Sequence, residues 1–489
     1  MTTTTHTSSG AGLASDVKEP RDVKDIAPGT PDPQSTGTQT AGAQPAGTQA
    51  AGAQPAGAQT VGTRTAGTES AGTSAGTPVA EPLGSRFTAL LTVTGLANLG
   101  DGIVQMGAPL VALTLTRSPA QIALLTAATW LPWLVLGLVG GVVVDRTDRR
   151  RTQIVALLGR AVLLAAGAAL VASGRLSMPV LVVLVLLYGV TEVFADLAQS
   201  SIVPDLVPRS RLQAANGRVL AVQQVTNTFV GSPVAGALLA LGAAWVLGIP
   251  AALAVAAVLV LVRGIRGHYR AERTEPTAAI ADVREGVSYV VHHPVQRPFV
   301  IAGSVMNMAS TGYMAVFVLW VIGPGSRMGM QPEHYPLLAT ILAVGAVLGS
   351  LLTERLVRAL PELVVMYGCW LVVGPLLLVP VLVPTVPALG VVLFLVGFTN
   401  TIGNTISQSL RQRVVPRALL GRAAGAGRTL AYGLMPVGAL VAGVCAEQWG
   451  IAAVLVGAAI LTAAAAIYPT LTVHKSTVEA AEQANPDSP

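Results

Sequence analysis

GGVVVDRTDRRR, residues Gly140 to Arg151, begins as an apolar run and ends in two carboxylates and four arginines. A second stretch, GSLLTERLVRAL from Gly349 to Leu360, follows the same plan. In each, a glycine is followed five residues later by an acid, at once by an arginine, and three residues on by another: Gly140, Asp145, Arg146 and Arg149 against Gly349, Glu354, Arg355 and Arg358, 209 residues apart. LVPRSRLQAANGR (206–218) and VVPRALLGRAAGAGR (414–428) place their Val-Pro-Arg registers 208 residues apart. Two matches at nearly one offset indicate a chain built from two similar halves.

The 489 residues are 52% apolar and 11% charged, with a mean hydropathy of +0.63, which is a membrane composition. From Phe87 to Leu471, apolar runs of about 17–25 residues, the length a helix needs to cross a bilayer, follow one another with short breaks. Twelve are counted: 88–115, 120–143, 152–173, 178–200, 215–240, 243–263, 298–322, 336–353, 363–382, 386–409, 424–446 and 449–471. The expected fold is an all-α integral membrane protein with 12 transmembrane helices in two pseudo-symmetric six-helix halves, 83–263 and 298–472. A cytosolic basic linker, 264–297, joins them, and 473–489 form a cytosolic tail. Two halves related by an axis along the membrane normal, with a site between them near the midplane, are an architecture of secondary transporters. Residues 1–82, with repeats such as AGAQPAGTQAAGAQPAGAQT, hold almost no large apolar residue and are expected to be a disordered cytosolic tail. They lack the basic start and apolar core of a signal peptide.

Basic residues set the orientation. Twenty Lys and Arg gather at the exits of even-numbered spans, against three (Arg117, Arg175 and Arg327) in the alternate loops. The positive-inside rule then places both termini in the cytosol, with the protein in the plasma (cytoplasmic) membrane. The net charge of +6 is explained by loops facing anionic lipid, without a nucleic-acid partner.

Polar residues fall on shared helical faces. Asn98, Asp101 and Gln105 in span 1, Tyr188, Glu192 and Asp196 in span 4, Asn307 and Thr311 in span 7, and Asn400, Asn404 and Gln408 in span 10 recur at spacings of three and four. Every third helix carries such a face, as a central cavity built twice over from a three-helix unit requires. Amides alone also serve as glue between helices, at about 1 kcal/mol each. Acids weigh more, because an Asp at the centre of a membrane helix costs roughly 2.5–3.5 kcal/mol. Asp101, Glu192 and Asp196 are therefore candidates for proton coupling, Asp101 first. Arg160, the embedded cation, is expected to pair with Glu192 or Asp196 on the neighbouring helix. Cys369 and Cys445 lie within spans, so no metal cluster or disulfide framework is expected. His292 and His293, beside Pro294 in the linker, read as solvated. Trp245, Trp320 and Trp449 fall near the ends of spans, where interfacial Trp is ordinary.

At this point the residues resemble a family. GGVVVDRTDRRR is similar to the signature between spans 2 and 3 of the major facilitator superfamily, Gly-x-x-x-Asp-Arg-x-Gly-Arg-Arg/Lys, with Gly141, Asp145, Arg146, Arg149 and Arg150 matching and Asp148 in place of the second glycine. The resemblance implies that Asp145 contacts the cytosolic start of span 11 and latches an inside gate. GSPVAGA, 231–237, resembles the Gly-Pro-x-x-Gly-Gly antiporter motif of drug exporters through Gly231, Pro233 and Gly236, with Ser232 and Ala237 replacing glycines. NLGDGI, VPDLVPRSRLQAANG and LRQRVVPRALLGR together resemble the twelve-span branch that holds macrolide-efflux proteins and the enterobactin exporter.

The expected protein is thus a proton-coupled exporter of a small amphipathic or apolar compound, working as a monomer without cofactor or metal. A dedicated exporter of a siderophore or other metabolite, an importer of the same fold and, more remotely, a non-transporting membrane sensor are the alternatives. An enzyme is not expected, since no nucleotide loop, metal-ligand cluster or nucleophile with its base stands out.

Overall fold

The computed structural model describes residues 84–270, 276–323 and 325–485; the expected tail 1–82 lies outside them. The first half runs through α1 (Ser85–Leu115), α2 (Pro119–Arg146), α3 (Arg149–Ala172), α4 (Met178–Leu206), α5 (Leu212–Gln224), α6 (Ser232–Leu241) and α7 (Ala243–Gly264). After α8 (Pro276–His292), the second runs through α9 (Gln296–Val321), α10 (Pro336–Ala359), α11 (Glu362–Leu382), α12 (Val386–Val414), α13 (Arg417–Gly433), α14 (Met435–Trp449) and α15 (Ile451–Thr472). α16 (Lys475–Gln483) ends the described chain. Among the described residues 11 helical segments are long and apolar enough to cross a membrane, and the protein is a multi-pass membrane protein.

The expected fifth span, 215–240, is present but interrupted. A π-helical turn, Val225–Gly231, sits between α5 and α6. Its cause lies two residues on: Pro233 has no N–H to donate and its ring crowds the carbonyl one turn back, so the ladder widens before it. Span 11 is divided likewise, where Leu434 separates α13 from α14 just before Pro436. Helix starts are marked locally. Ser118 accepts the Gln121 N–H at the start of α2 (3.3 Å), and Asp148 the Arg151 N–H at the start of α3 (2.9 Å). Gly242 and Gly450, at φ 133° and 82°, each join two spans in a backbone shape that side chains rarely adopt. They are 208 residues apart, a third mark of the duplication.

Packing repeats between the halves. α1 packs on α7 as α9 does on α15, α2 on α4 as α10 on α12, α3 on α7 as α11 on α15, and α3 on α4 as α11 on α12. Contacts across the halves are reciprocal too, α2 with α14 and α6 with α10. The crossings rely on missing side chains. A Cβ on Gly102 would lie 2.1 Å from the Asn227 carbonyl oxygen in the π turn, and one on Gly438 of α14 2.2 Å from that of Met308 in α9. α10 and α12 touch backbone to backbone in the same way, for a Cβ on Gly397 would lie 2.0 Å from the Leu342 oxygen. Gly397→Ala is therefore expected to cost about 1–3 kcal/mol by forcing these helices apart. The matched control is Gly457→Ala in α15, where a Cβ meets nothing within 4 Å. Thermal midpoints in detergent should fall for the first and hold for the second.

The interior shows how the halves meet. At the face carrying the arginine-poor loops, one apolar core joins them, with Ile103, Leu110, Leu125 and Val246 packed among Phe317, Leu338, Leu389 and Leu455. Toward the arginine-rich face it divides. Phe87, Leu90, Leu157, Ile202 and Leu261 form a core within the first half, and Phe299, Met366, Trp370, Ile406 and Leu410 one within the second. Outward-facing aliphatics on the peripheral helices, such as Val155, Val162, Leu259, Val364 and Ile460, make the lipid belt. Trp245 and Trp449 are exposed as interfacial residues are. Trp320 is instead buried and donates its indole N–H to the Pro380 carbonyl at 3.1 Å.

Candidate transport site

A cluster of ionisable side chains lies inside the first half, where α1, α3 and α4 meet. Asp101 of α1 is 8% exposed and Arg160 of α3 is 3% exposed. The Arg160 Nη1 donates to the Asp101 Oδ1 at 2.5 Å. The Tyr188 hydroxyl of α4 donates to the same oxygen, and the guanidinium sits 4.9 Å from the centre of the Tyr188 ring. A buried carboxylate thus receives a charge partner, a hydroxyl donor and a cation held over an aromatic face.

The expected pairing of Arg160 with Glu192 or Asp196 is not what forms. Tyr188 stands about one turn before Glu192 on α4 and fills the space beside the guanidinium, while Asp101 reaches it from α1. Glu192 and Asp196 are half-buried and feel the field of Asp101 and Arg160. Neither takes a hydrogen bond or ion pair among the described residues. Of the three acids, Asp101 is therefore the one that pairs with the guanidinium.

The amides divide by environment. Asn98 donates to the Thr94 carbonyl of its own helix at 3.0 Å, and Asn307 to the Ala431 carbonyl of α13 at 3.4 Å. Thr311 is buried. Gln105, Asn400, Asn404 and Gln408 are exposed, with Asn404 Nδ2 donating to Asn400 Oδ1 at 2.5 Å. An aromatic contact between the halves joins this region, Trp130 of α2 with Tyr432 of α13, ring centres 6.1 Å apart. Single aromatics in two spans gave no periodic signal for it.

Two arginines of the loop signature, Arg149 and Arg150, bond within their own half. Arg149 Nη1 donates to the Ser201 carbonyl and to the Asp205 carboxylate of α4, both at 2.9 Å, and Arg150 Nη2 to the Val262 carbonyl of α7 at 3.2 Å. Arg146 is exposed. The side chain of Asp145 and the environment of Gly141 lie outside the described residues. Asp148, which stands where the family has glycine, caps α3 and also accepts the Tyr269 N–H at 3.3 Å, while the Arg149 N–H donates to the Tyr269 carbonyl at 2.9 Å. The turn between α2 and α3 is so fixed to the segment after α7. In the antiporter-like stretch, Gly231 packs on Gly102 of α1, Pro233 follows the π turn, and Gly236 meets the Glu333 backbone before α10.

At the arginine-poor face three contacts fasten the halves. The Ser118 hydroxyl donates to the Glu447 carboxylate, the Ala120 N–H does so at 3.4 Å, and Arg117 Nη1 donates to the Ile322 carbonyl at 3.1 Å. In the linker, His292 is exposed as expected, but His293 is half-buried: its Nδ1 accepts the N–H groups of Val295 and Gln296 at 3.1 and 3.2 Å at the start of α9. Burial lowers its pKa from the usual histidine value. No group of three or more metal-ligating side chains occurs among the described residues.

Comparison with known proteins agrees with this architecture. The profile of the Major Facilitator Superfamily matches residues 90–437. The multidrug efflux pump Tap of Mycolicibacterium fortuitum is 26% identical over 365 residues, 73% of this chain and 88% of that protein. Macrolide efflux protein A of Streptococcus pyogenes is 22% identical over 384 residues, 75% of this chain and 90% of that one. Among solved structures, a point mutant of the nucleoside transporter NupG superposes with a TM-score of 0.64 at 13% identity, covering 80% of this chain and all of that one.

Proposed function

Because the chain belongs to the Major Facilitator Superfamily, we propose that it is a secondary transporter of the cytoplasmic membrane that exports a small amphipathic or apolar compound in exchange for protons. The observation that carries this reading is the divided core, joined at one face and split at the other. With the arginine-rich face in the cytosol, the halves part toward the side from which an exporter loads. The efflux activities in the names of Tap and of macrolide efflux protein A favour that direction.

In this mechanism the compound enters between the halves against Gln105, Asn400, Asn404 and Gln408, beside Trp130 and Tyr432. Rocking of one half on the other opens the arginine-poor face, and protons taken up there drive the return. Each proton moving down 100 mV releases about 2.3 kcal/mol, roughly a fiftyfold concentration ratio. Asp101 is committed to Arg160 and Tyr188, so Glu192 and Asp196 are the carboxyls that can change charge without breaking an ion pair. The loop signature, Arg146, Arg149 and Arg150 with Asp145, biases closure at the cytosolic face.

The fastening at Glu447 gives a first test of alternating access. An exposed contact of this kind is worth about 0–1 kcal/mol, so Glu447→Ala should raise the population open at the arginine-poor face by up to about fivefold. Labelling of a cysteine placed at Gln105 by an impermeant reagent in right-side-out vesicles reads that population; unchanged labelling removes the gate role of Glu447. The direction of transport is tested in everted vesicles energised with a proton gradient, where accumulation of a cationic dye or a macrolide is expected. Uptake only in right-side-out vesicles makes the protein an importer.

A further inference from the structure

A cavity of about 790 Å³ lies away from the interface between the halves. α2 and α3 form its walls and α4 its floor, and the segment after α7 closes its end at the arginine-rich face. The floor residues Val190 and Phe194 project roughly 200–240° around α4 from Tyr188, opposite the face that bears the acids. Among the described residues, none of the second half lines it. Val143 and Val155, 40% and 68% exposed, open it to the lipid belt.

The mouth is basic. Arg146, Arg151, His268 and Arg270 line it, and all four are exposed. None takes a hydrogen bond or an ion pair through its side chain among the described residues. The acid between them, Asp148, already accepts main-chain N–H groups on both carboxylate oxygens, from Arg151 and Tyr269. Among the described residues, positive charge without a counter-ion therefore stands above an apolar groove. From Arg151 to Gly159 the groove runs about 12 Å along α3, nearly the depth of one leaflet's hydrocarbon, about 15 Å.

We propose that this groove is a binding site for an anionic phospholipid of the leaflet at the arginine-rich face, its phosphate among Arg146, Arg151, Arg270 and His268 and an acyl chain along Val155, Val190 and Phe194. A phosphate accepts from several guanidinium groups at once, which a zwitterionic headgroup offsets with its own cation. The site does not depend on the transport reading. Occupied, it would tie α2, α3 and α4 to the segment after α7, the elements that hold the loop signature in place.

The test is native mass spectrometry of the full chain, released from detergent containing equal phosphatidylglycerol and phosphatidylcholine. The wild type is expected to retain phosphatidylglycerol over phosphatidylcholine. The variant Arg151→Gln/Arg270→Gln should lower that ratio roughly thirtyfold, given about 1 kcal/mol per arginine near an anionic lipid. Val155→Trp, which leaves every charge in place and fills the groove, should lower it as well. Arg297→Gln/Arg355→Gln, two exposed arginines elsewhere on the same face, should leave it unchanged. Equal retention of both lipids by the wild type, a ratio unmoved by Arg151→Gln/Arg270→Gln or by Val155→Trp, or an equal loss in the control pair overturns the proposal; the last would make the attraction a diffuse property of the face.

Discussion

Arg160→Met is expected to destabilise the protein by about 3–5 kcal/mol, the cost of leaving a buried carboxylate without its cation. The guanidinium has little alternative to its place: it is 3% exposed, bonded to Asp101 and set over the Tyr188 ring. Methionine keeps the apolar stem but not the guanidinium's volume, so the loss combines charge and packing, and the double variant is what separates them. Asp101→Asn should cost less, since the amide oxygen still accepts from Tyr188 and the freed guanidinium has Glu192 and Asp196 within its field. The double variant Asp101→Asn/Arg160→Met should then regain much of what Arg160→Met loses, because a neutral amide no longer needs a cation. Thermal midpoints in detergent rank the three. A double variant no more stable than Arg160→Met would show that the arginine acts through its packing and not through the pair.

Much of this arrangement is legible in the sequence. The offset of 208–209 residues between the loop signatures predicts two halves, and Gly242 with Gly450 shows that the same duplication reaches the tight turns. Apolar length places the spans, yet it does not show that spans 5 and 11 break, because that follows from Pro233 and Pro436 acting on the turn before them. Helical spacing brings Asp101, Tyr188, Glu192 and Asp196 onto shared faces. It does not reveal how they pair with Arg160: periodicity fixes which side of a helix a residue occupies, not which neighbour that side meets. Asp101 and Arg160 are 59 residues apart, and their contact depends on how α1 and α3 are both packed on α7. The same limit hides Trp130 with Tyr432, and the His293 acceptor at the start of α9, where a linker histidine looks merely solvated. Asn98, on the face of Asp101, and Asn307, on that of Thr311, bond to helix carbonyls, so an amide on such a face says less than a carboxylate does.

Glu192→Gln should remove proton-driven export, lowering the initial rate under an imposed pH gradient by more than about tenfold while the folded protein persists. Asp101 is bonded to Arg160 and Tyr188, whereas Glu192 stands one turn from Tyr188, half-buried and without a hydrogen bond or ion pair among the described residues. Glutamine keeps its shape and hydrogen-bonding reach but cannot cycle a proton. Exchange of labelled for unlabelled compound across proteoliposomes needs no net proton movement, so it should survive, and Asp196→Asn, a turn further toward the arginine-rich face, should fall between Glu192→Gln and wild type. The wild-type rate should rise as the arginine-poor side is made more acidic than the other; in Glu192→Gln this dependence should be flat. Retained pH-driven export in Glu192→Gln, together with its loss in an equally stable Asp101→Asn, would return the coupling role to Asp101 and make the pair with Arg160 the element that opens in each cycle.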